Sequence, residues 1–233
     1  MTSGVAAATV VTAVALLLSP SAPGVPTRSC SPVGAKVYSP AGSARGDVDG
    51  DGVRERVWIG RMSGRTAPCQ WFLFAQSQAS LHAAPLRQRG VEAEWGSSNV
   101  LPRLGSVVAI DDRAGTEILV ALDGGASTTA YGVFSVRGSR LTRFRVSRAE
   151  FPDAFYDGGS GNRFADFGCV ERGVVAQAQF RQEGIRFSGR RDIYRLSADN
   201  FQFVKTRHYR GITHAALKRL PELSGRRFAR CAP

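Results

Sequence analysis

The sequence has few of the residues from which common catalytic and zinc-binding motifs are built. Among 233 residues there are only three histidines, four cysteines and three lysines. No Cys-x-x-Cys pair and no His-Glu-x-x-His motif occurs, which argues against a zinc site or a thiol redox centre. There is also no Gly-x-Ser-x-Gly nucleophile elbow, no glycine-rich phosphate loop and no basic–aromatic nucleic-acid motif. The sequence therefore predicts a non-enzymatic protein without a specific nucleic-acid partner.

One apolar run, residues 4–18, stands near the N-terminus and is followed by small residues and prolines. It is shorter than the roughly 20 residues that a membrane span needs. This length and the small residues after it are typical of a secretory signal, although no lysine or arginine precedes the run. We predict a signal peptide over residues 1–22, cleaved near Ser21 or Ala22, with an uncleaved anchor as the alternative. The mature protein is then secreted or cell-envelope associated, with no transmembrane span.

Residues 23–44 are rich in Pro, Ser and Gly and are interpreted as a leader, and residues 45–233 as a single β-rich domain. The formal net charge is +12, carried almost entirely by arginine. An arginine bias of this kind indicates a GC-rich genome more than selection for phosphate contacts. A basic exported protein is attracted to anionic cell-envelope polymers. The alternatives are a protein ligand and a solvated basic surface without a dedicated partner.

The four cysteines, Cys30, Cys69, Cys169 and Cys231, are widely spaced and all follow the apolar run. In an oxidising compartment an even number of such cysteines predicts two structural disulfides, and three pairings are possible. The pairs Cys30–Cys69 and Cys169–Cys231 are preferred because each joins one chain end to the nearest β unit. The alternative is four free thiols in a cytosolic protein.

Short segments that alternate apolar and polar residues recur along the chain, bounded by Gly, Asp, Asn and Ser. The predicted strands cover residues 56–62, 71–75, 117–122, 131–136, 141–146, 174–180, 192–196 and 201–205. They group into three β-meander units, which are expected to share a core. The predicted fold class is mainly β, with three propeller-blade-like units forming an incomplete propeller or a sandwich. A short C-terminal helix is expected between a capping Thr213 and Pro221.

A cluster of acids and glycines precedes the first predicted strand, in a nine-residue loop that begins at Asp47. Gly50 and Gly52 permit the tight turn, and calcium requires six to eight oxygen ligands. Oxygen donors fall at alternate positions of the loop. The candidate calcium ligands are Asp47, Asp49, Asp51, Val53 through its backbone carbonyl, and Glu55. The alternative is an acidic turn that needs no ion.

An EF-hand would carry a bidentate glutamate at position twelve of the loop, where this chain has Trp58. Instead, DVDGDGVRERVWI resembles the calcium loop of FG-GAP or VCBS repeats, in which D-x-D-x-D-G-x-x-D/E leads directly into a strand. The resemblance covers about a dozen residues and implies that the same five residues bind calcium. The chain also resembles small exported proteins of GC-rich bacteria that carry degenerate repeats. Integrin-type propellers close with about seven blades, so three units cannot complete that ring.

A second, degenerate loop follows at residues 109–117. It keeps an acid at position three, Asp111, and at position nine, Glu117. It has Ala109 at position one and Arg113 at position five, so the expectation is a repeat that holds no metal, with Arg113 in the place of the cation.

The segment 150–166 combines aromatic and acidic residues and is predicted to be a long loop. Asp153, Tyr156 and Asp157 are its candidate ligand-binding residues, for a glycan or a second cation. The alternative is an Ω-like loop packed by its own aromatic rings.

Together these features predict an exported, non-enzymatic calcium-binding repeat protein that serves as a cell-envelope or extracellular binding or structural module. One alternative is an exported enzyme acting on envelope polymers, for which a pocket lined by Asp153, Asp157 and His208 would be expected. The other is a basic binder of anionic surface polymers.

Overall fold

The computed structural model describes most of the chain beyond the predicted leader. The described residues are 30, 32–34, 36–37, 42–63, 70–77, 80–86, 102–124, 127–151, 153–224 and 227–231. They are mainly β, as predicted, with fifteen strands and one short α-helix among them. The predicted signal peptide lies outside this part of the chain. Within it, no helix has the length and apolar character needed to cross a membrane.

The first sheet contains five antiparallel strands. They are β1 (Lys36–Val37), β2 (Ser43–Gly46), β3 (Glu55–Arg61), β4 (Trp71–Gln76) and β5 (Leu81–Pro85). β1 and β2 pair with successive parts of the same edge of β3, and β4 and β5 follow on its other side. β4 is buried on both faces, which is why its sequence is a continuous apolar run without alternation.

The second sheet contains ten strands. They are β6 (Arg103–Val108), β7 (Glu117–Gly124), β8 (Thr128–Arg137), β9 (Arg140–Arg143), β10 (Arg145–Val146), β11 (Phe155–Gly158), β12 (Arg163–Glu171), β13 (Val174–Glu183), β14 (Arg186–Ser197) and β15 (Asn200–Ile212). Their order is β10-β15-β14-β13-β12-β11-β8-β7-β6, and β9 pairs with β8 on the edge that also carries β11. Each pair is antiparallel except β10 with β15.

The second sheet curls, because its two distant parts are linked by one bent segment. Only Phe144 separates β9, which pairs with β8, from β10, which pairs with β15. The Phe144 N–H donates to the Val133 carbonyl at 2.8 Å, so the pairing with β8 continues up to the bend. The sheets remain open, as expected for an incomplete propeller or a sandwich.

Two hydrophobic clusters lie on opposite faces of the β6–β9 layer. Ile118 and Val120 of β7 face the first sheet and pack with Val57 and Leu73. Leu119, between them in sequence, belongs to the other cluster, which lies inside the curl. The fully buried or nearly buried aromatic members of that second cluster are Phe144, Phe155, Phe167, Tyr194 and Phe201. Burial of each large apolar side chain contributes about 1.5–3 kcal/mol. The β6–β9 layer therefore packs tightly on both of its faces, against the first sheet on one side and inside the curl on the other.

The predicted C-terminal helix is present as α1 (His214–Leu217), and its first turn is capped by the Thr213 hydroxyl, which accepts the Ala216 N–H at 3.2 Å. A 3-10 turn, Pro221–Leu223, follows. Leu217 packs on the outer face of the second sheet, in a cluster with Phe180 and Phe187.

A buried ion pair and a disulfide attach the C-terminal segment to the second sheet. Arg191 Nε and Nη2 donate to the two Glu222 carboxylate oxygens, at 2.5 and 2.8 Å, and both side chains are buried. Cys169 of β12 is bonded to Cys231, which confirms that predicted pair. Cys30 is also disulfide-bonded, and its predicted partner, Cys69, lies outside the described residues.

The prediction of a long loop over residues 150–166 is wrong. β11 occupies Phe155–Gly158 and pairs with β8, and β12 begins at Arg163. The sequence did not predict these two strands, because the segment contains Gly158, Gly159 and several acidic residues. Apolar residues are few in it and do not alternate with polar ones over a long run.

Replacing both Cys169 and Cys231 by alanine is expected to lower the free energy of unfolding by about 4 kcal/mol. The disulfide closes a loop with a sequence separation of 62 residues, and its removal restores that loop's conformational entropy to the unfolded chain. Urea unfolding of the double variant and the wild type measures the difference. A loss below about 1 kcal/mol would contradict the structural role given to this bond.

Candidate metal centre

The first acidic loop, residues 47–54, connects β2 to β3 and is held by the side chain of its first residue. Asp47 Oδ1 accepts the Gly50 N–H at 2.7 Å, and its Oδ2 accepts the Gly52 N–H at 3.1 Å. Both glycines have positive φ angles, +84° and +86°, which side chains with a Cβ rarely adopt. The glycines therefore allow the acidic residues to lie on a tight turn.

Three of the five predicted calcium ligands converge. Asp47, Asp49 and Glu55 each offer one oxygen, and these oxygens lie within 4.8 Å of one another. The carboxylate of Asp51 is outside this group; its Oδ1 accepts the Val53 N–H at 2.7 Å.

Glu55, the last acid of the loop, is fully buried at the start of β3. Its Oε2 accepts the Val48 N–H at 2.7 Å. Its Oε1 is also buried and has no hydrogen-bond partner among the described residues. An ionised carboxylate without a partner for one oxygen is costly in the protein interior, where a missing partner costs about 1–3 kcal/mol and more for charged groups.

No arginine or lysine in the described part of the chain lies within 4 Å of the carboxylates of this loop. The neighbouring Arg54 directs its guanidinium to the Arg45 carbonyl, at 3.0 Å. The negative charge of the group is therefore not balanced by a side chain described here.

The second loop, residues 109–116, connects β6 to β7 and repeats two of the hydrogen bonds of the first. The Ile110 N–H donates to Glu117 Oε2 at 2.8 Å, as Val48 does to Glu55. The Arg113 N–H donates to Asp111 Oδ1 at 2.9 Å, in the position where the Asp51 N–H donates to Asp49. The alignment of the two loops on their final glutamate therefore agrees with the backbone geometry.

The guanidinium of Arg137, on β8, lies between Asp111 and Glu117, the two acids that the second loop keeps at the ligand positions. Arg137 Nη2 is 3.3 Å from Asp111 Oδ2 and 3.6 Å from Glu117 Oε1. The prediction that Arg113 takes the place of the cation is wrong. Its side chain is half exposed, lies 3.8 Å from Asp111 and donates to the Ala198 carbonyl. The sequence could reveal Arg137 only through the β7–β8 register.

Among the described residues, the first repeat has no counterpart of this arginine. Gln76 and Phe134 occupy equivalent positions in the registers Arg56↔Gln76 and Ile118↔Phe134. β8 continues beyond Phe134 to Arg137, whereas β4 ends at Gln76. The glutamate oxygen that faces a guanidinium in the second repeat is thus the oxygen without a partner in the first.

Burial is the main cause that raises the pKa of Glu117 from 4.5 to about 7, and the Asp111 charge adds to it. The Ile110 N–H and the Arg137 guanidinium act in the opposite direction, lowering the pKa, and only partly offset the burial. Burial therefore favours the protonated form of this glutamate even beside the guanidinium.

The two loops are in direct contact. The Asp47 carbonyl accepts both the N–H and the hydroxyl of Thr116, at 2.7 and 2.8 Å. A Cβ placed on Gly50 would lie 2.5 Å from Ala114, so only glycine allows this approach. The order of the first loop is consequently coupled to the packing of the first repeat on the second.

The other candidate ligand residues have separate structural contacts. Asp153 Oδ1 accepts the Val146 N–H at 3.3 Å, and the Tyr156 hydroxyl donates to Glu150 at 2.8 Å. Asp157 accepts a hydrogen bond from Arg227 at 2.8 Å.

Comparison of the chain with known protein families, curated proteins and solved structures gives no match. The resemblance to FG-GAP or VCBS repeats stays an expectation based on the loop sequence.

The stability of the protein is expected to fall as pH rises from about 4.5 to about 7, and Glu117→Gln should remove this component. The pKa of Glu117 is higher in the folded protein than in the unfolded chain, so folding favours its protonated form. The resulting stabilisation of the fold is complete below the unfolded-state pKa. It is lost as the pH rises through the folded-state pKa. The shift corresponds to about 3 kcal/mol. Urea unfolding of both proteins at several pH values measures the difference, and parallel profiles would contradict it.

Proposed function

We propose that this protein is an exported, non-enzymatic calcium-binding module, with the ion held by Asp47, Asp49 and Glu55. The observation that carries the proposal is the buried Oε1 of Glu55, which has no partner in a group of three carboxylates. In the second repeat, the guanidinium of Arg137 lies 3.6 Å from the corresponding oxygen, Oε1 of Glu117. A bound cation would give the first group the same compensation.

The donor set fits calcium better than it fits zinc or a transition metal. All three side chains are carboxylates, which are hard oxygen ligands, and neither histidine nor cysteine belongs to the group. Calcium takes six to eight oxygens, so further ligands are needed. Asp51, the Val53 carbonyl and water are the sources that the loop sequence predicts.

Calcium would act in this protein as a structural ligand. The loop that holds the three carboxylates also accepts two hydrogen bonds from Thr116 through the Asp47 carbonyl. Neutralising the carboxylates would therefore stabilise the contact between the two repeats as well as the loop. Such a role suits an extracellular module, because calcium outside the cell reaches the range of about 10⁻⁴–10⁻³ M in which such modules bind.

Export and attachment to the cell envelope are part of this proposal. Support comes from the Cys169–Cys231 disulfide, since such bonds persist in oxidising compartments.

The rival proposal, an exported enzyme acting on envelope polymers, has weaker support. The three residues expected to form its pocket are not gathered in the large cleft of the second sheet. His208 lines that cleft, whereas Asp153 and Asp157 are not among its lining residues.

Millimolar calcium is expected to raise the melting temperature, and Asp49→Ala should abolish the rise. A ligand that binds only the folded state stabilises it by about 2.7 kcal/mol at a hundredfold excess over its dissociation constant. The matched control is Asp111→Ala, which changes the equivalent residue of the second loop and should leave the calcium-dependent rise intact. Thermal unfolding in calcium and in a chelator measures both. The same melting temperature of the wild type in both conditions would refute the proposal.

We expect Glu55→Gln to be less stable than the wild type in calcium, but as stable or more stable when calcium is removed. In a chelator, glutamine keeps an acceptor for the Val48 N–H and removes a buried charge, so the variant should be as stable as the wild type or up to about 2 kcal/mol more stable. In calcium the wild type should be the more stable protein, because the variant has lost a charged ligand. Urea unfolding in both conditions shows the rank. A variant that is less stable by the same amount in both would indicate a purely structural role for Glu55.

A further inference from the structure

The concave side of the curled second sheet carries a second candidate site, a cleft of about 640 Å³. It lies over β11–β15, apart from the two acidic loops, and its volume is in the range of about 300–1,000 Å³ typical of small-molecule sites. The strand registers explain the lining. Ala165, Gln179, Arg190 and His208 are aligned across β12–β15 and so share one face of the sheet.

Three glycines among the lining residues are fixed by close contacts with neighbouring backbone. Gly158, Gly159 and Gly189 all line it, and a Cβ on any of them would lie within about 2.1 Å of a backbone oxygen. The glycines thus allow close backbone packing beneath and beside the cleft. Phe164 and Tyr209 also border the cleft, but they belong to the apolar cluster on the outer face of the sheet.

The charge of the lining is strongly positive. Four arginines line the cleft: Arg163, Arg181, Arg190 and Arg210. Glu150 is the one carboxylate among the lining residues, and it already accepts the Tyr156 hydroxyl at 2.8 Å. A concave surface with an excess of positive charge attracts anionic ligands.

Two of these arginines have acidic partners among the described residues. Arg181 pairs with Glu183 at 2.5 Å, and Arg190 lies 3.3 Å from Asp192 and 3.8 Å from Glu150. In the part of the chain that the structure describes, neither Arg163 nor Arg210 has an acidic group within 4 Å. Their guanidinium groups are therefore available for a ligand. A guanidinium presents two parallel N–H donors to a carboxylate or phosphate, which makes arginine the usual residue for such recognition.

We propose that this cleft binds a small organic anion that carries a phosphate or carboxylate group on a polar body, as at one end of an acidic glycan or polyol phosphate. Arg163 and Arg210 would hold the anionic group. Gln179 and His208 would supply hydrogen bonds to the polar body. The site does not use the three carboxylates of the first loop, so its failure would leave the calcium proposal unaffected.

The test is a titration of the full chain, in calcium, with two anionic probes, sn-glycerol 3-phosphate and trigalacturonate, and with glucose as the neutral control. Calorimetry gives the affinity and amide chemical shifts give the location. The test variant is Arg163→Gln/Arg210→Gln. The control variant is Arg145→Gln/Arg207→Gln, which removes the same charge from two exposed arginines outside the cleft lining.

We expect at least one anionic probe to bind, with amide chemical-shift changes confined to the cleft lining. The affinity for that probe should fall about tenfold or more in the test variant and less than about twofold in the control variant. Binding of the phosphate probe alone or of the carboxylate probe alone supports the site and identifies the anionic group. An equal loss in both variants would show attraction by net charge only and overturn the proposal. No binding of either probe at millimolar concentration would also overturn it. If the double variant does not fold, the single variants Arg163→Gln and Arg210→Gln provide the same comparison.

Discussion

A glutamate buried at the start of a central strand must either take up a proton or lie beside a positive charge, and the first two repeats differ in the charge that lies beside it. In the second repeat the partner is built into the chain, because Arg137 extends from the neighbouring strand between Asp111 and Glu117. In the first repeat Glu55 has the same backbone bond but no such arginine among the described residues. The two loops contact each other through Thr116, so the electrostatic state of one influences the position of the other. In the second repeat the positive charge is the covalently attached guanidinium of Arg137. If calcium binds the first loop as proposed, the stability of the interface between the two repeats would depend on the calcium concentration.

Much of the fold could be predicted from short apolar segments bounded by turn residues, because the central strands bury apolar side chains. β7, β8 and β13 are examples, and each is buried on both faces along much of its length. β2 and β6 were not predicted, since sequences such as SARG and RLGSVV contain few large apolar residues. They form strands because the neighbouring strands β3 and β7 offer an edge to pair with. The β11–β12 region was misinterpreted for a similar reason, as tertiary pairing with β8 overrides a composition typical of loops.

The candidate metal centre was predictable in part. Alternating acids and glycines are local features, so the convergence of Asp47 and Asp49 with Glu55 follows from nine residues of sequence. Arg137 was not predictable, because its contact with the second loop depends on the register of two strands. The arginine-lined cleft was hidden for the same reason. Its residues come from several strands, and only their alignment across the sheet brings Arg163 and Arg181 side by side.

The single bend at Phe144 has a consequence for how the chain reaches its native state. Most neighbours in the second sheet are joined by short hairpins, which form with little loss of chain entropy. The parallel pair is different, since Arg145 is aligned with Asn200 across a long intervening stretch of chain. Its hydrogen bonds can form only after the meander between them has been assembled, and non-local pairings of this kind slow folding. We therefore expect the curl to close late in folding, when the aromatic side chains around Phe144 lose contact with water together.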